Sequence, residues 1–288
     1  MNIKNKKTIL TLYTVIAMIV GASLTIWRTV LLKQTFDPYD GTFELGSGKT
    51  LLIFEYILLL ASAVVATSYF FMKGTSFKKL SSKESPAAQY IYLACGIILA
   101  TVGLISLVYY FGDIFAIKNN SGFTKIGTPI AFILLFFVAV YFFVSSQPKY
   151  EDQSFKTILS FAAPLFVIAY VIASYFNSDF VYNDFNRITC HLAFLAILLF
   201  SLSESNLLLN RPAFALRFIS SLLCIILIPT YIVPMTLLAA FWEVSFSSTL
   251  LFEASQIAFF VCAVYSAIST IYNLEPCKKA DDAADTAQ

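Results

Sequence analysis

A small set of ionisable and amide side chains lies within or at the edge of long apolar stretches of this 288-residue chain, where charge is costly. They are Arg28, Glu55, Asp113, Arg187, His191, Glu253 and Gln256. Such groups at membrane depth line substrate or ion pathways, relay protons or pair with one another, so each is a functional candidate by default. These seven residues form the predicted ligand or ion site.

Four of the seven share one predicted depth, roughly 6–9 Å below the outer boundary at 1.5 Å of rise per residue. They are Arg28, Glu55, His191 and Glu253. The other three lie on the same helix face as one of these four or just beyond the layer. The opposite halves of the apolar stretches contain hardly any charge, so the polar groups are predicted to lie on the outer side only.

Three interpretations of this layer stay open. It could be a set of salt bridges that locks helices together, with Arg28–Glu55 as the natural pair because their helices are consecutive and antiparallel. It could be an outward-facing polar cavity that binds a solute or ion or relays protons. The long side chains could also reach the lipid headgroups separately, with no common site.

Several classes of enzyme are excluded by missing residues. His191 is the only histidine, which removes H-E-x-x-H metalloproteases, multi-histidine metal sites and haem-carrying bundles. No lysine lies deep in a stretch to form a Schiff base, no Asp lies at mid-depth, and no G-x-S-x-G occurs. The segment Gly46–Thr50 ends like a P-loop but has Phe43 where that motif requires its first glycine. A non-enzymatic protein is predicted.

Cofactor and metal sites also lack their ligands. The cysteines contain no C-x-x-C pair and are predicted to be packing residues, with acylation of Cys277 as an alternative. Asp37 and Asp40 lie in an outer loop without the spacing of a calcium loop. Because Asp-Pro and Asp-Gly favour turns, that loop is predicted to form a hairpin-like cap. We predict no cofactor and no metal.

Composition places these residues in a membrane. Of the chain, 59% is hydrophobic and 12% is charged, against about a quarter charged in soluble domains. This excludes a soluble enzyme, a nucleic-acid binder and a disordered protein. A span needs about 20 apolar residues, and eight stretches qualify. The sequence predicts an all-α polytopic bundle with spans at 8–32, 51–72, 89–112, 127–146, 157–176, 187–204, 214–239 and 248–273.

The distribution of positive charge predicts the orientation. With the N-terminus inside, thirteen Lys and Arg residues fall on the cytoplasmic side and five outside, as the positive-inside rule requires. Both termini are then cytoplasmic. We predict a single membrane domain over residues 1–274 and a disordered tail over 275–288. Pro229 and Pro234 leave open whether residues 214–247 form one kinked span or a re-entrant segment.

The first fifty residues carry a family resemblance. Trp27-Arg28, Leu31-Leu32 and the loop Asp37-Pro38-Tyr39-Asp40-Gly41-Thr42-Phe43 resemble uncharacterised multi-pass membrane proteins of clostridia-type bacteria. That resemblance implies a bacterial plasma membrane and implies nothing about mechanism.

Two functional hypotheses follow. The first is a small-solute or ion transporter, or the membrane subunit of one, with its site in the outer polar layer. The second is a non-catalytic sensor or partner-binding protein, in which the outer charges are structural salt bridges and the basic loop Lys73–Lys83 contacts a protein partner or anionic lipid on the cytoplasmic side. The lipid bilayer is a partner in both cases, and nucleic acid in neither.

Overall fold

The computed structural model describes residues 3–37, 42–43, 48–72, 75–77, 86–116, 122–147, 153–175, 185–209, 213–241 and 253–276. Almost all of them are helical. The helices are α1 (Ile3–Thr35), α2 (Gly48–Ala66), α3 (Tyr69–Met72), α4 (Pro86–Ala116), α5 (Gly122–Ser146), α6 (Gln153–Ser160), α7 (Ala162–Tyr175), α8 (Phe185–Leu208), α9 (Phe214–Phe241) and α10 (Gln256–Tyr272). Two short antiparallel pairs join β1 (Phe36–Asp37) to β2 (Thr42–Phe43) and β3 (Thr75–Phe77) to β4 (Leu274–Pro276).

The predicted all-α membrane bundle is confirmed. Helices are required because lipid offers no hydrogen-bond partners, so each span must satisfy its own backbone. Seven helical runs in the described part of the chain are long and apolar enough to cross a bilayer, and α10 follows as a shorter apolar helix of 17 residues. Large apolar side chains such as Ile26, Phe70 and Val108 are exposed, as is expected of a surface that faces lipid.

Helix α9 is the centre of the bundle and packs against α1, α8 and α10. Of its most apolar window 67% is buried, against 22% for the run that contains α2. Pro229 and Pro234 both lie inside this one helix, so residues 214–241 are a continuous span and no re-entrant loop interrupts them.

Helices α1 and α9 approach each other closely at Gly21. A Cβ atom on Gly21 would lie 2.8 Å from the carbonyl oxygen of Ile225 and 3.2 Å from Cα of Ile226. Both atoms belong to the α9 backbone and cannot move aside easily. Small residues permit such contacts between membrane helices, where packing rather than the hydrophobic effect drives association.

The two ends of the described chain meet at one end of the bundle. The Lys7 ammonium, near the start of α1, donates to the carbonyl oxygen of Tyr272 at the end of α10 over 2.9 Å. A cation is favourable there because the last carbonyls of a helix lack partners. Since the start of α1 and the end of α10 lie together, the number of crossings between them is even. This parity supports α10 as an eighth crossing.

Three local differences from the sequence prediction concern this same end. Span five begins at Gln153, four residues earlier than predicted, so Lys156 lies in α6 and is buried. Pro164 explains the break between α6 and α7, because it leaves the carbonyl of Ser160 without a helical donor. Glu275 and Pro276, assigned to the tail, pair with Ser76 and Thr75 as β4. The rest of the tail, with Cys277, lies outside the described residues.

On the opposite end, the predicted hairpin is present as the β1–β2 pair, which joins Phe36 to Phe43 and Asp37 to Thr42. Its turn, residues 38–41, and the P-loop-like residues 46–47 lie outside the described part. So does most of the basic loop Lys73–Lys83, of which only β3 is described.

Candidate functional site

A buried carboxylate, Glu253, is the centre of one polar contact region among the described residues. It lies just before α10 and receives hydrogen bonds from three directions. The Tyr170 hydroxyl on α7 donates to Oε1 over 2.6 Å, and the Tyr231 hydroxyl on α9 donates to Oε2. The Cys190 thiol on α8 makes a longer contact of 3.5 Å to Oε1.

Arg28 on α1 belongs to the same region. Its guanidinium carbon lies 5.2 Å from the centre of the Tyr231 ring. Tyr231 thus touches the cation with its ring and the carboxylate with its hydroxyl. We call Arg28, Tyr170, Cys190, Tyr231 and Glu253 the Glu253 cluster; each member is at most 8% exposed.

The hydrogen bonds of Arg28 are explained by a proline on α9. Pro234 has no N–H, so the carbonyl of Thr230, four residues earlier, loses its helical donor. Arg28 supplies the replacement, since its Nη1 donates to that carbonyl over 2.8 Å. Its Nη2 donates to Oδ1 of Asn186 over 2.8 Å. One side chain of α1 therefore connects α9 and α8.

The predicted Arg28–Glu55 salt bridge is wrong for the described structure. The one ion pair recorded among those residues lies elsewhere. The contact between α1 and α2 runs through Trp27 and Phe54, whose rings meet at 5.2 Å. Arg28 follows Trp27, and Glu55 follows Phe54. On a helix of 3.6 residues per turn, consecutive side chains are rotated by about 100° around the axis. Arg28 therefore points into the bundle, and Glu55 is half-buried on α2.

Arg187 and His191 form a separate group at the end of α7. Arg187 Nη2 donates to the carbonyls of Ser174 and Tyr175 over 3.0 and 2.6 Å, which are among the last carbonyls of that helix. His191 Nε2 lies 2.8 Å from the Ser174 hydroxyl. Arg187 and His191 share one face of α8, as predicted, and both side chains bind the C-terminal end of α7.

Gln256, also predicted, is completely buried at the start of α10. Neither Nε2 nor Oε1 has a hydrogen-bond partner among the described residues, although a buried amide normally has both. It follows Glu253 by three residues, across a turn formed by residues 254–255. The last predicted residue, Asp113, lies in the final turn of α4, and its side chain is outside the described part of the structure.

A second, partly buried acid at the other end of the same helices is absent from the predicted site. Glu204 on α8 accepts from Arg217 on α9, with Nε–Oε1 at 2.5 Å, and from the Ser266 hydroxyl on α10 at 3.2 Å. We call these three residues the Glu204 cluster. The sequence places Glu204 at the last residue of a span and Arg217 among the cytoplasmic basic residues. The polar layer is therefore not confined to one side.

A cavity adjoins the Glu204 cluster. About 20 Å³ of it is open to the centre of a water molecule, and one water needs about 10–15 Å³ by this measure. Its polar lining includes hydroxyls from five helices and the carboxylate itself. The polar residues of the lining are Tyr92, Tyr141, Ser160, Ser201, Glu204, Cys262 and Ser266.

Pro164 is the signal in the sequence that could have pointed to the segment around Glu204. Pro164 frees the carbonyl of Ser160, and the Ser205 hydroxyl donates to it over 3.1 Å. That hydroxyl belongs to the Ser203-Glu204-Ser205 run, a polar triplet within the last two turns of α8. The two clusters are separated along α9 by fourteen residues, from Arg217 to Tyr231, or about 21 Å.

The chemistry of the two clusters differs. Glu204 is neutralised directly by Arg217. Glu253 instead accepts from two phenols and a thiol, and its cation lies behind the Tyr231 ring. An ionised carboxylate has about four lone-pair positions, and the described residues occupy three of those of Glu253. Within the described part of the chain, one acceptor position is left for a proton, a cation or a donor of a bound solute. No group of three or more metal-ligating side chains occurs in the described residues.

Comparisons with known proteins add no identity. The chain matches no protein family, no curated protein and no solved structure.

Proposed function

We propose that this chain is a multi-pass transporter of a small solute or ion, or the membrane subunit of one, and that the Glu253 cluster with Gln256 is its binding site. The observation that carries the proposal is a buried carboxylate held mainly by neutral donors, three residues before a buried amide that has no hydrogen-bond partner among the described residues. An amide with no partner among the described residues keeps donor and acceptor capacity for a bound solute. We infer that the chain is not an enzyme and that it resides in a bacterial plasma membrane with both termini in the cytoplasm.

The arrangement of helices favours this function. The Glu253 cluster draws side chains from α1, α7, α8 and α9, so a rearrangement of any of these helices changes the cluster. Pro229 and Pro234 interrupt the hydrogen bonding of α9 next to it. Interrupted helices near a polar site are typical of transporters.

Charge movement in proteoliposomes tests the proposal without knowledge of the solute. The purified chain is adsorbed on a solid-supported membrane and exposed to pH jumps and to NaCl jumps at constant ionic strength. We expect a transient current that falls at least tenfold in the Glu253→Gln variant and severalfold in Gln256→Ala. Glu55→Gln is the matched control, because Glu55 is a half-buried membrane carboxylate outside both clusters, and it should keep the wild-type current.

A sensor or partner-binding protein is the second candidate. Arg187 and His191 favour it, because they bind the end of α7 as structural groups do. If the wild-type current equals that of protein-free liposomes, or if Glu253→Gln leaves it unchanged, transport at this cluster is refuted and the second candidate is preferred. Size-exclusion profiles of the variants must match the wild type for either conclusion.

A further inference from the structure

Two thiols from different helices meet inside the bundle. The Sγ atoms of Cys95 on α4 and Cys262 on α10 lie 3.3 Å apart, with Cys262 as the donor. Cys95 in turn donates to the carbonyl of Ala258 over 3.3 Å. Both side chains are buried. The pair is 167 residues apart in the chain, so only the packing of α4 on α10 brings it together.

One member of this pair borders the cavity of the Glu204 cluster. Cys262 lines the cavity together with Ser266 and Tyr92. A space that accepts a water molecule also accepts hydrogen peroxide, which is only slightly larger and makes similar hydrogen bonds. A small peroxide can therefore reach Cys262, whereas bulky oxidants are excluded by the burial of both thiols. The other described cysteines, Cys190 and Cys224, have no neighbouring thiol among the described residues.

We propose that Cys95 and Cys262 are a redox-active dithiol that closes to a disulfide joining α4 to α10. Hydrogen peroxide oxidises Cys262 to the sulfenic acid and releases one water. The Cys95 sulfur then attacks the sulfenic sulfur, the S–S bond forms, and the sulfenic hydroxyl leaves as a second water with the Cys95 proton. A small dithiol such as dithiothreitol reverses the step by thiol–disulfide exchange.

Little movement is needed for closure. A disulfide has an S–S distance of about 2.05 Å, so the sulfurs must approach by about 1.2 Å. Closure would fix α4 to α10 and remove the Cys262 thiol from the cavity wall. The proposal stands apart from the proposed transport function, because it uses neither Glu253 nor Gln256.

Thiol counting on the full chain tests the proposal. The protein in detergent is treated with hydrogen peroxide, freed of it, unfolded in SDS and labelled with a maleimide–polyethylene glycol that shifts a gel band once per thiol. Untreated protein should show five labelled thiols, the number in the chain. Treated protein should show three, and dithiothreitol before labelling should restore five. Mass spectrometry of a digest should contain the Cys95–Cys262 linked peptide.

Single variants separate this pair from other oxidation. Cys262→Ser should give four labelled thiols before and after mild peroxide, because the thiol that peroxide oxidises is absent. Cys95→Ser should fall from four to three, because Cys262 stops at the sulfenic acid, and dithiothreitol should restore four. Neither variant should give the linked peptide. Cys224→Ser, a buried cysteine on α9, is the matched control and should fall from four to two. Five thiols after treatment of the wild type, a different linked peptide, or loss of two thiols in Cys95→Ser would each overturn the proposal.

Discussion

Individual side chains in this bundle replace hydrogen bonds that proline removes. Arg28 donates to the Thr230 carbonyl freed by Pro234, and Ser205 donates to the Ser160 carbonyl freed by Pro164. Both donors come from another helix, so each repair also joins two helices. An unpaired carbonyl in lipid costs several kcal/mol, which gives these donors a structural role independent of any ligand.

At residue scale, the first prediction concerns Arg28 and Glu55. Because Arg28 binds α9 and α8 while Glu55 lies on α2, we expect Arg28→Ala to lower the free energy of unfolding by about 3–5 kcal/mol, the range for breaking a buried charged network. Glu55→Ala should change it by less than about 1 kcal/mol. The double variant should equal the sum of the singles to within about 0.5 kcal/mol.

Thermal unfolding in detergent measures these effects. The matched positive control is the Arg28→Ala and Asn186→Ala cycle, which should be non-additive because Arg28 Nη2 donates to Asn186. Coupling between Arg28 and Glu55 of more than about 1 kcal/mol, which is typical of residues in contact, would mean that the two charges meet in the membrane after all.

At the scale of elements, the sequence predicts where helices occur but not which of them touch. The apolar run of α9 is visible in the sequence, and so are its prolines. That α9 is central, and that it meets α1 at Gly21, depends on packing between residues about 200 positions apart. The Glu253 cluster follows the same logic: Arg28 and Glu253 are predicted, whereas Tyr170 and Tyr231 look like ordinary aromatic residues of apolar helices.

The second prediction concerns Pro234 on α9. If Arg28 repairs the bond that Pro234 removes, then Pro234→Ala restores an N–H that can bind the Thr230 carbonyl. We expect Pro234→Ala to recover about 1–2 kcal/mol of the stability lost in Arg28→Ala, since that is the cost of one unsatisfied buried group. Thermal unfolding of the single and double variants in detergent measures it.

Pro229→Ala is the control for that rescue. It restores the donor to the Ile225 carbonyl, one turn away, and leaves Thr230 unchanged. Combined with Arg28→Ala it should recover less than Pro234→Ala does. Equal recovery by both would show that proline removal stabilises α9 in general, without reference to Arg28.

For the whole molecule, composition alone is sufficient to predict the fold class, because the bilayer permits few alternatives to a helical bundle in a chain this apolar. Composition does not predict which polar side chains lie in the interior of the bundle. From the sequence, charged residues near the end of a span, such as Glu204 and Arg217, are assigned to the membrane boundary. A sequence gives the depth of a residue along a helix only to within a few residues. It does not show which face of the helix is turned toward the neighbouring helices. The structure places both residues inside the bundle.

The third prediction concerns topology. In an eight-crossing bundle the loop after span two and the segment after α10 lie on one side, and β3 pairs with β4 there, with Ser76 opposite Glu275. Ser76→Cys combined with Glu275→Cys should therefore form an intramolecular disulfide with a mild oxidant. The control pair, Thr42→Cys combined with Glu275→Cys, should not, because β2 follows α1 and precedes α2 at the opposite end. Crosslinking of the control pair would contradict the even number of crossings.

The orientation of the same segment is a separate step of this prediction. With both termini in the cytoplasm, the Glu275→Cys variant in a Cys277→Ser background should react with a membrane-impermeant maleimide in inside-out vesicles only. The Cys277→Ser variant alone is the matched control, and it should stay unlabelled because the cysteines of the spans are buried. Labelling of the Glu275→Cys variant in right-side-out vesicles would reverse the orientation while leaving the pairing of β3 with β4 intact, since that pairing fixes only which segments share a side.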